Sequence, residues 1–155
     1  MLLKPSPYIV SFDTKGKVLW NTCSLDFPDG VRNQVLVVTT RSVRPEYAAY
    51  LRKMQIPYIL AGDTTIDLSA ALDKLRSLFG IRRFAIVGGA TINARFIQED
   101  LVDEIRLVVA PFIDGSKELT ITEMPDNTRL TKAFALDRIE KLEHDGVLII
   151  YKRNK

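Results

Sequence analysis

The sequence has few of the residues that build disulfides and metal centres. It contains one cysteine, Cys23, and one histidine, His144, among its 155 residues. A single cysteine cannot form an internal disulfide, which is typical of a reducing compartment and favours a cytoplasmic location. One cysteine and one histidine are also too few for a zinc site of the usual ligand types. The sequence therefore predicts neither a disulfide framework nor a metal site.

Excess charge of one sign and long apolar runs are also lacking. The 22 basic and 19 acidic residues leave a net charge of +3, and the basic residues are scattered along the chain. This balance does not predict nucleic-acid binding, although it suits a small anionic ligand. The longest uncharged apolar runs are far shorter than the ~20 residues of a membrane span. No signal-peptide pattern opens the chain. We therefore expect neither a nucleic-acid nor a membrane partner.

What the sequence does contain is a series of strands alternating with helices. Short apolar or alternating runs predict strands, and apolar residues at helical spacing predict helices. The predicted strands cover residues 8–12, 18–20, 34–39, 57–61, 84–87 and 104–110, and the predicted helices cover 45–55, 68–79 and 90–100. Pro45 suits a first helical turn, Asp67 suits a helix cap and Gly80 a helix end. The segments 21–33 and 112–129 are predicted to be mostly loop.

The end of the chain carries a hairpin pattern. Residues 133–142 and 147–151 flank Asp145-Gly146, a turn sequence that accepts positive φ. Strands that alternate with helices form a largely parallel sheet covered on both faces, so the order predicts an α/β fold. The final hairpin would add an antiparallel edge. Since the chain has no repeat, low-complexity tract or linker, residues 1–155 are predicted to form a single domain.

A glycine pair is the feature most suggestive of chemistry. The predicted strand at 84–87 is followed by Gly88 and Gly89 and then by a predicted helix. Glycines allow a phosphate close to the main chain, and a helix N-terminus adds unpaired N–H donors and partial positive charge. The alternative is that the glycines only make a tight turn between strand and helix. A bare glycine pair is too unspecific a motif to decide between these interpretations.

Five short motifs follow one another along the chain: DTKGK at 13–17, LVVTT at 36–40, VGGATI at 87–92, LVDEI at 101–105 and APFIDG at 110–115. Each is weakly specific alone, but their order and spacing over most of the chain are specific. The chain resembles the reductase domain of riboflavin biosynthesis, the C-terminal half of the bifunctional pyrimidine deaminase/reductase. The resemblance implies a dihydrofolate reductase-like fold with three layers, α/β/α, a mostly parallel sheet and a C-terminal antiparallel hairpin.

The resemblance also implies an NADPH cofactor across the carboxyl ends of the parallel strands, as open α/β sheets allow. Its pyrophosphate would be held by the glycine pair and the helix start, which are Gly88, Gly89, Ala90, Thr91 and Ile92. The Thr91 hydroxyl either donates to a phosphate oxygen or caps the helix, and both roles stay open. Thr14 occupies the position of the family's strand-end serine and is a further candidate contact.

A second candidate contact lies between a strand and a helix. Thr40, Arg41 and Ser42, with Arg44 close behind, combine hydroxyl and guanidinium groups. Arginine pairs bidentately with phosphate, so this cluster can recognise a 2′-phosphate, which favours NADPH over NADH. The alternative is that Arg41 and Arg44 are solvated loop charges.

The chain departs from the family at two places. The family usually has glutamate immediately before the glycine pair, where this chain has Val87. The family also has roughly seventy further residues on the N-terminal side, by the usual size of such domains. Those residues carry most of the substrate and nicotinamide contacts. Three alternatives follow: the chain is a fragment of a longer reductase, the missing segment is supplied in trans, or the reductase site has been lost. We favour the fragment, and we assign no catalytic residue within this chain.

The function that the resemblance implies is an NADPH-dependent reductase. It would transfer hydride to the ribosyl C1′ of a phosphoribosylaminopyrimidine, as does 5-amino-6-(5-phosphoribosylamino)uracil reductase of riboflavin biosynthesis. The expected partners are this phosphorylated pyrimidine substrate and a second copy of the chain in a homodimer. One alternative is a nucleotide- or phosphometabolite-binding module without catalysis. A second is a structural domain whose exposed sheet edge completes another protein.

Overall fold

The computed structural model describes residues 8–28, 30–113, 120–124, 129 and 131–154. The helices and strands in this part of the chain are β1 (Tyr8–Phe12), β2 (Ser24–Asp26), β3 (Arg32–Thr39), α1 (Pro45–Lys53), β4 (Tyr58–Leu60), α2 (Leu68–Phe79), α3 (Ala90–Gln98), β5 (Glu104–Val109), β6 (Phe134–Lys141) and β7 (Val147–Arg153). They belong to two compact units, which divide between Arg83 and Phe84. Within the described residues, no helix is long and apolar enough to cross a membrane.

Strand β3 is the centre of the first unit. β1 pairs with it in parallel on one side, while β4 in parallel and β2 in antiparallel orientation share the other side. Its residues Val35 to Val38 are all fully buried. Because consecutive side chains of a strand point to opposite faces, this run shows that both faces of β3 are covered. The strand predicted at 34–39 is confirmed.

The two helices of the first unit begin and end close to where the sequence predicts. α1 packs through Tyr47 and Leu51 against the core around β3. Asp67 caps α2, because its carboxylate accepts the N–H of Ala70 at 2.9 Å. Gly80 ends α2 in the left-handed conformation, with φ of 67°.

Strand β7 is the centre of the second unit. It pairs antiparallel with β5 on one side and with β6 on the other, and its Ile150 is buried. Helix α3 buries Ala94 and Phe96. The Phe96 ring stacks on Phe84 with centroids 5.9 Å apart. The hairpin predicted near the end of the chain is therefore confirmed, and β5 is its third strand.

The turn of this hairpin differs in detail from the prediction. Positive φ occurs at His144 and Asp145, at 57° and 61°, whereas Gly146 has φ of −69°. The left-handed residues thus lie one position earlier than the Asp145-Gly146 pattern indicates. The Gly146 carbonyl instead accepts the N–H of Leu142, at 2.8 Å, and so closes the turn.

The strand predicted at 84–87 is wrong. These residues have no regular structure, no ladder among the described residues includes them, and the Val87 side chain is 97% exposed. An apolar run becomes a strand only where another strand offers backbone groups to pair with. Within this unit β5 and β6 both pair with β7, and Phe84 buries its ring against α3 instead.

The short strand predicted at 18–20 is also wrong. The Asp13 carboxylate accepts the N–H of Val18, and the Val18 carbonyl accepts the Tyr47 hydroxyl, so side chains use the backbone groups that a ladder would need. The strand in this region is β2, inside the segment 21–33 that was predicted to be loop. It pairs with the first residues of β3.

The mixed α/β composition is confirmed, but a single, largely parallel sheet is not. Parallel pairing joins β1, β3 and β4, whereas the strands of the second unit form a separate and wholly antiparallel sheet. The three-layer arrangement and the single domain over 1–155 stay predictions. The turns predicted at 114–115 and 125–127 lie outside the described residues.

Candidate functional site

The first candidate site lies at the carboxyl ends of the parallel strands of the first unit. Thr14 follows β1, Thr40 to Ser42 follow β3, and Asp63 follows β4. Because β1, β3 and β4 are parallel neighbours, their carboxyl ends meet at one edge, which is where open α/β sheets bind ligands. We call the side chains of Thr14, Thr40, Arg41, Ser42 and Asp63 the strand-end cluster.

Hydrogen bonds hold the strand-end cluster together. The hydroxyl of Thr40, which is fully buried, donates to the Thr14 carbonyl at 3.1 Å and lies 3.0 Å from the Ser42 hydroxyl. The guanidinium of Arg41 donates to the Asp63 carboxylate at 2.9 Å. Both of these charged side chains are largely exposed, so a ligand can reach them. The four residues predicted here from the sequence are therefore together, and Asp63 joins them.

A buried carboxylate fixes the turn that carries Thr14. Asp13 is only 7% exposed, and its carboxylate accepts the N–H of Val18 at 2.8 Å and the Tyr47 hydroxyl at 2.9 Å. The main-chain carbonyl of Asp13 accepts the Thr39 hydroxyl at 2.7 Å. Gly16 is required in the same turn, because its φ is +62° and an added Cβ would lie 2.6 Å from the Tyr47 ring.

These contacts also set the ionisation of Asp13. Burial alone would raise its pKa, but the hydrogen bonds from the backbone N–H groups of Val18, Lys17 and Gly16 and from the Tyr47 hydroxyl outweigh burial and lower the pKa. Burial and the neighbouring carboxylate raise the pKa of Tyr47, so its hydroxyl stays protonated and keeps donating. The turn is thus held by an ionised carboxylate at neutral pH.

The second candidate site is the glycine pair of the second unit. Gly88 has φ of +116°, and the peptide bond that joins it to Gly89 is cis. Gly89 occupies the N-cap position of α3 with φ of −75°, and no side chain caps this helix. An added Cβ at either glycine meets nothing within 4 Å among the described residues. Packing within the described chain therefore requires glycine at neither position.

The predicted pyrophosphate contacts lie at the start of this helix. Ala90, Thr91 and Ile92 form the first turn of α3, where backbone N–H groups cannot reach a carbonyl of their own helix. Gly89 and not Thr91 is the N-cap residue, which weakens the capping interpretation of Thr91. The segment 121–123 borders the turn, since the Asn93 side chain donates to the Ile121 carbonyl at 2.9 Å and Glu123 N–H donates to the Ala90 carbonyl at 3.2 Å.

The sequence-predicted residues thus form two groups. Thr14, Thr40, Arg41 and Ser42 lie together in the first unit, and the residues from Gly88 to Ile92 lie together in the second. The described residues hold no group of three or more histidine, cysteine, aspartate or glutamate side chains able to bind a metal ion.

Sequence reasoning missed Asp13 as a support, Tyr47 as its donor and Asp63 as a member of the cluster. A signal existed for Asp63, because it follows the predicted strand at 57–61 and the ends of parallel strands share one edge. Tyr47 was predicted only as part of an apolar helix face. Its pairing with Asp13 joins residues 34 positions apart, and no local pattern indicates it.

Comparison with known proteins assigns the chain to a family. A family model described as "RibD C-terminal domain" matches residues 9–148. The chain belongs to the RibD C-terminal domain family. This confirms the resemblance that the five motifs indicate, and the match includes both the strand-end cluster and the glycine pair.

Two curated relatives illustrate how far the likeness extends. A protein of Methanothermobacter thermautotrophicus is 34% identical over 102 residues, covering 61% of this chain and 46% of the relative. One of Archaeoglobus fulgidus is 30% identical over 140 residues, covering 90% of this chain and 60% of the relative. Both are named 2,5-diamino-6-ribosylamino-4(3H)-pyrimidinone 5′-phosphate reductase. The chain therefore spans about half the length of these relatives.

Solved structures share the fold. A pyrimidine reductase-like protein from Corynebacterium diphtheriae aligns with a TM-score of 0.75 at 18% identity, covering 96% of this chain and 62% of that one. Acinetobacter baumannii RibD aligns with a TM-score of 0.57, also at 18% identity, over 83% of this chain and 40% of that one. At this identity the likeness establishes the fold alone.

The role of Asp13 predicts a specific pH dependence of stability. Folding lowers the pKa of Asp13. Its contribution to the free energy of unfolding is therefore fully present above the unfolded pKa of about 3.9 and is lost as pH falls through the folded pKa. Asp13→Asn should lower the free energy of unfolding by about 1–3 kcal/mol at pH 7. The difference from wild type should shrink below about pH 4. Urea unfolding at several pH values measures this.

Tyr47→Phe is the matched control, because it removes one donor and keeps the carboxylate. It should cost about 1 kcal/mol at pH 7 and retain most of the acid dependence of wild type, because the backbone N–H donors still lower the pKa of Asp13. If Asp13→Asn and wild type differed by the same free energy at every pH, the ionised carboxylate would not be the group that holds the turn.

Proposed function

We propose that this chain binds NADPH and serves as a reductase, or as the cofactor-binding portion of one, in riboflavin biosynthesis. Membership of the RibD C-terminal domain family and relatives named as reductases support the proposal. The observation that supports it most directly is that position 89 is a glycine. Neither its φ of −75° nor packing within the described chain requires glycine there. A phosphate that approaches the main chain would require it, because a Cβ would stand in the way.

The second unit would hold the pyrophosphate. The exposed N–H groups in the first turn of α3 and the positive end of the helix favour an anion, and the Thr91 side chain is exposed beside them. Without Cβ atoms, Gly88 and Gly89 leave room for its oxygens. The chemistry of the residues therefore fits the group that the family implies.

The strand-end cluster of the first unit is, taken alone, suited to an adenosine 2′-phosphate. Arg41 is a cation at a ligand-binding edge, and its exposed guanidinium can pair with a 2′-phosphate. Thr14 contributes through its carbonyl, which holds the Thr40 hydroxyl in place. Asp13 fixes the turn that carries Thr14. These residues bind and position the cofactor rather than transfer protons.

When bound, NADPH supplies the hydride that the proposed reaction adds to the ribosyl C1′ of a phosphoribosylaminopyrimidine, opening the ring to a ribityl chain. The chain's own contribution is orientation, because residues that bind the phosphates of the cofactor limit where its nicotinamide can lie. Val87 precedes the glycine pair, and its apolar, almost fully exposed side chain can neither donate nor accept a hydrogen bond. We assign no proton donor.

A binding module without catalysis is the second candidate, and Val87 is the observation that favours it. The loss of a polar group at this position leaves the binding features intact and removes a contact to the reacting end. The homodimer is proposed from the family resemblance, and the cytoplasmic location from the single cysteine. Strand β5 suits a sheet-to-sheet contact, because it is an edge strand whose Val108 is 61% exposed.

Substitution of Gly89 tests the phosphate cradle. Saturating NADPH should raise the Tm of wild type, since a ligand at 100 times its Kd adds about 2.7 kcal/mol. Gly89→Ala keeps an allowed φ and should fold normally, but its Cβ should block the phosphate and abolish most of the Tm shift. Gly146→Ala is the control, because that glycine also has negative φ and tolerates a Cβ. An unchanged shift in Gly89→Ala would refute the cradle, and no shift in wild type would refute NADPH binding.

A turnover assay distinguishes the reductase from the binding module without catalysis. Loss of nicotinamide absorbance is measured with NADPH and 5-amino-6-(5-phosphoribosylamino)uracil, with the aminopyrimidine omitted as control. Substrate-dependent oxidation supports the reductase. Binding of NADPH without oxidation supports the module, and Val87→Glu, at a position with room for a longer side chain, should then gain activity if the missing acid is the cause.

A further inference from the structure

Asp63 is held firmly beside Arg41 by the backbone as well as by its charge. The N–H of Arg41 donates to the Gly62 carbonyl at 3.0 Å, and the N–H of Ser42 donates to the Asp63 carbonyl at 2.9 Å. Gly62 makes the turn possible, because its φ is +84° and an added Cβ would lie 2.0 Å from the Thr65 carbonyl oxygen. The loops that follow β3 and β4 are therefore joined on both sides of the ion pair between Arg41 and Asp63.

The hydroxyl protons of Thr40 and Ser42 are already committed. Thr40 has one hydroxyl hydrogen, and it donates to the Thr14 carbonyl, which can only accept. The 3.0 Å contact between the Thr40 and Ser42 hydroxyls must then use the hydrogen of Ser42. Ser42 consequently presents lone pairs outward, and the Asp63 carboxylate presents more. Acceptors of this kind match a hydroxyl donor better than they match a phosphate.

We propose that Asp63 sets the nucleotide preference of the strand-end cluster. Its carboxylate competes with a 2′-phosphate for Arg41 and repels that phosphate, while it accepts a hydrogen bond from the 2′-hydroxyl of an unphosphorylated ribose. The preference for NADPH over NADH is therefore smaller than Arg41 alone would give. This inference rests on the proposed function, because it requires that the cluster bind the adenosine end of a nicotinamide dinucleotide.

Asp63→Asn tests the inference with the full-length chain. The side chain is 81% exposed, so the neutral isostere should fold as wild type does. The Kd values of NADPH and NADH are measured by calorimetry at fixed ionic strength. The ratio of the NADH Kd to the NADPH Kd should rise about fivefold, the upper range for one exposed charge pair. Arg41→Gln should lower the ratio, and the double variant should show a smaller effect of Asp63→Asn.

Asp26→Asn is the matched control. Asp26 is also an exposed carboxylate that pairs with an arginine, Arg32, at 2.8 Å. This pair lies at the amino end of β3, about 25 Å along the strand from the cluster, so the ratio should not change. The control carries the same change of net charge.

The outcomes are distinct. A rise of the ratio in Asp63→Asn with none in Asp26→Asn supports the inference. Binding of both nucleotides with an unchanged ratio in Asp63→Asn overturns the inference and leaves the proposed function standing. Failure of wild type to bind either nucleotide overturns the proposed function, and the inference falls with it.

Discussion

The buried carboxylate of Asp13 is the constraint on which the first unit depends. A buried charge is costly unless hydrogen bonds satisfy it, and here they come from its own turn and from Tyr47 on α1. The same turn accepts the hydroxyls of Thr39 and Thr40. The carboxylate thus joins the turn after β1 to α1, and the main-chain carbonyls of the same turn join it to the end of β3, where the strand-end cluster lies. Stability and site geometry therefore have a common cause.

The second unit relies on a different device. Among the described residues, no strand of its antiparallel sheet pairs with the residues around Gly88 and Gly89. The Phe84 ring stacks on Phe96 and so packs the segment before the glycine pair against α3. Among the described residues, no side chain caps the first turn of α3, and nothing lies within 4 Å of a Cβ added at either glycine. An anion at this position would accept hydrogen bonds from the N–H groups of that turn, which cannot reach a carbonyl of their own helix.

Local patterns predicted most of the elements, and together with the family resemblance they supplied the members of both candidate groups except Asp63. β3, α1, α2 and the terminal hairpin follow from periodicity and caps, and the Asp67 cap and Gly80 stop are as predicted. The strand at 84–87 failed because an apolar run does not specify its pairing partner. The strand at 18–20 failed because Asp13 and Tyr47 use the backbone groups of Val18, a long-range effect without a local signal. Asp63 was missed because its partner Arg41 lies 22 residues away.

The central claim is that the glycine pair and the first turn of α3 bind the pyrophosphate of NADPH. Amide chemical-shift mapping of the labelled chain during titration with NADPH tests it most directly. We expect saturable shifts from Gly89 to Ile92, with the amides of β6 and β7 unaffected. Shifts confined to β6 and β7, or the absence of a saturable shift from Gly89 to Ile92, would contradict the claim.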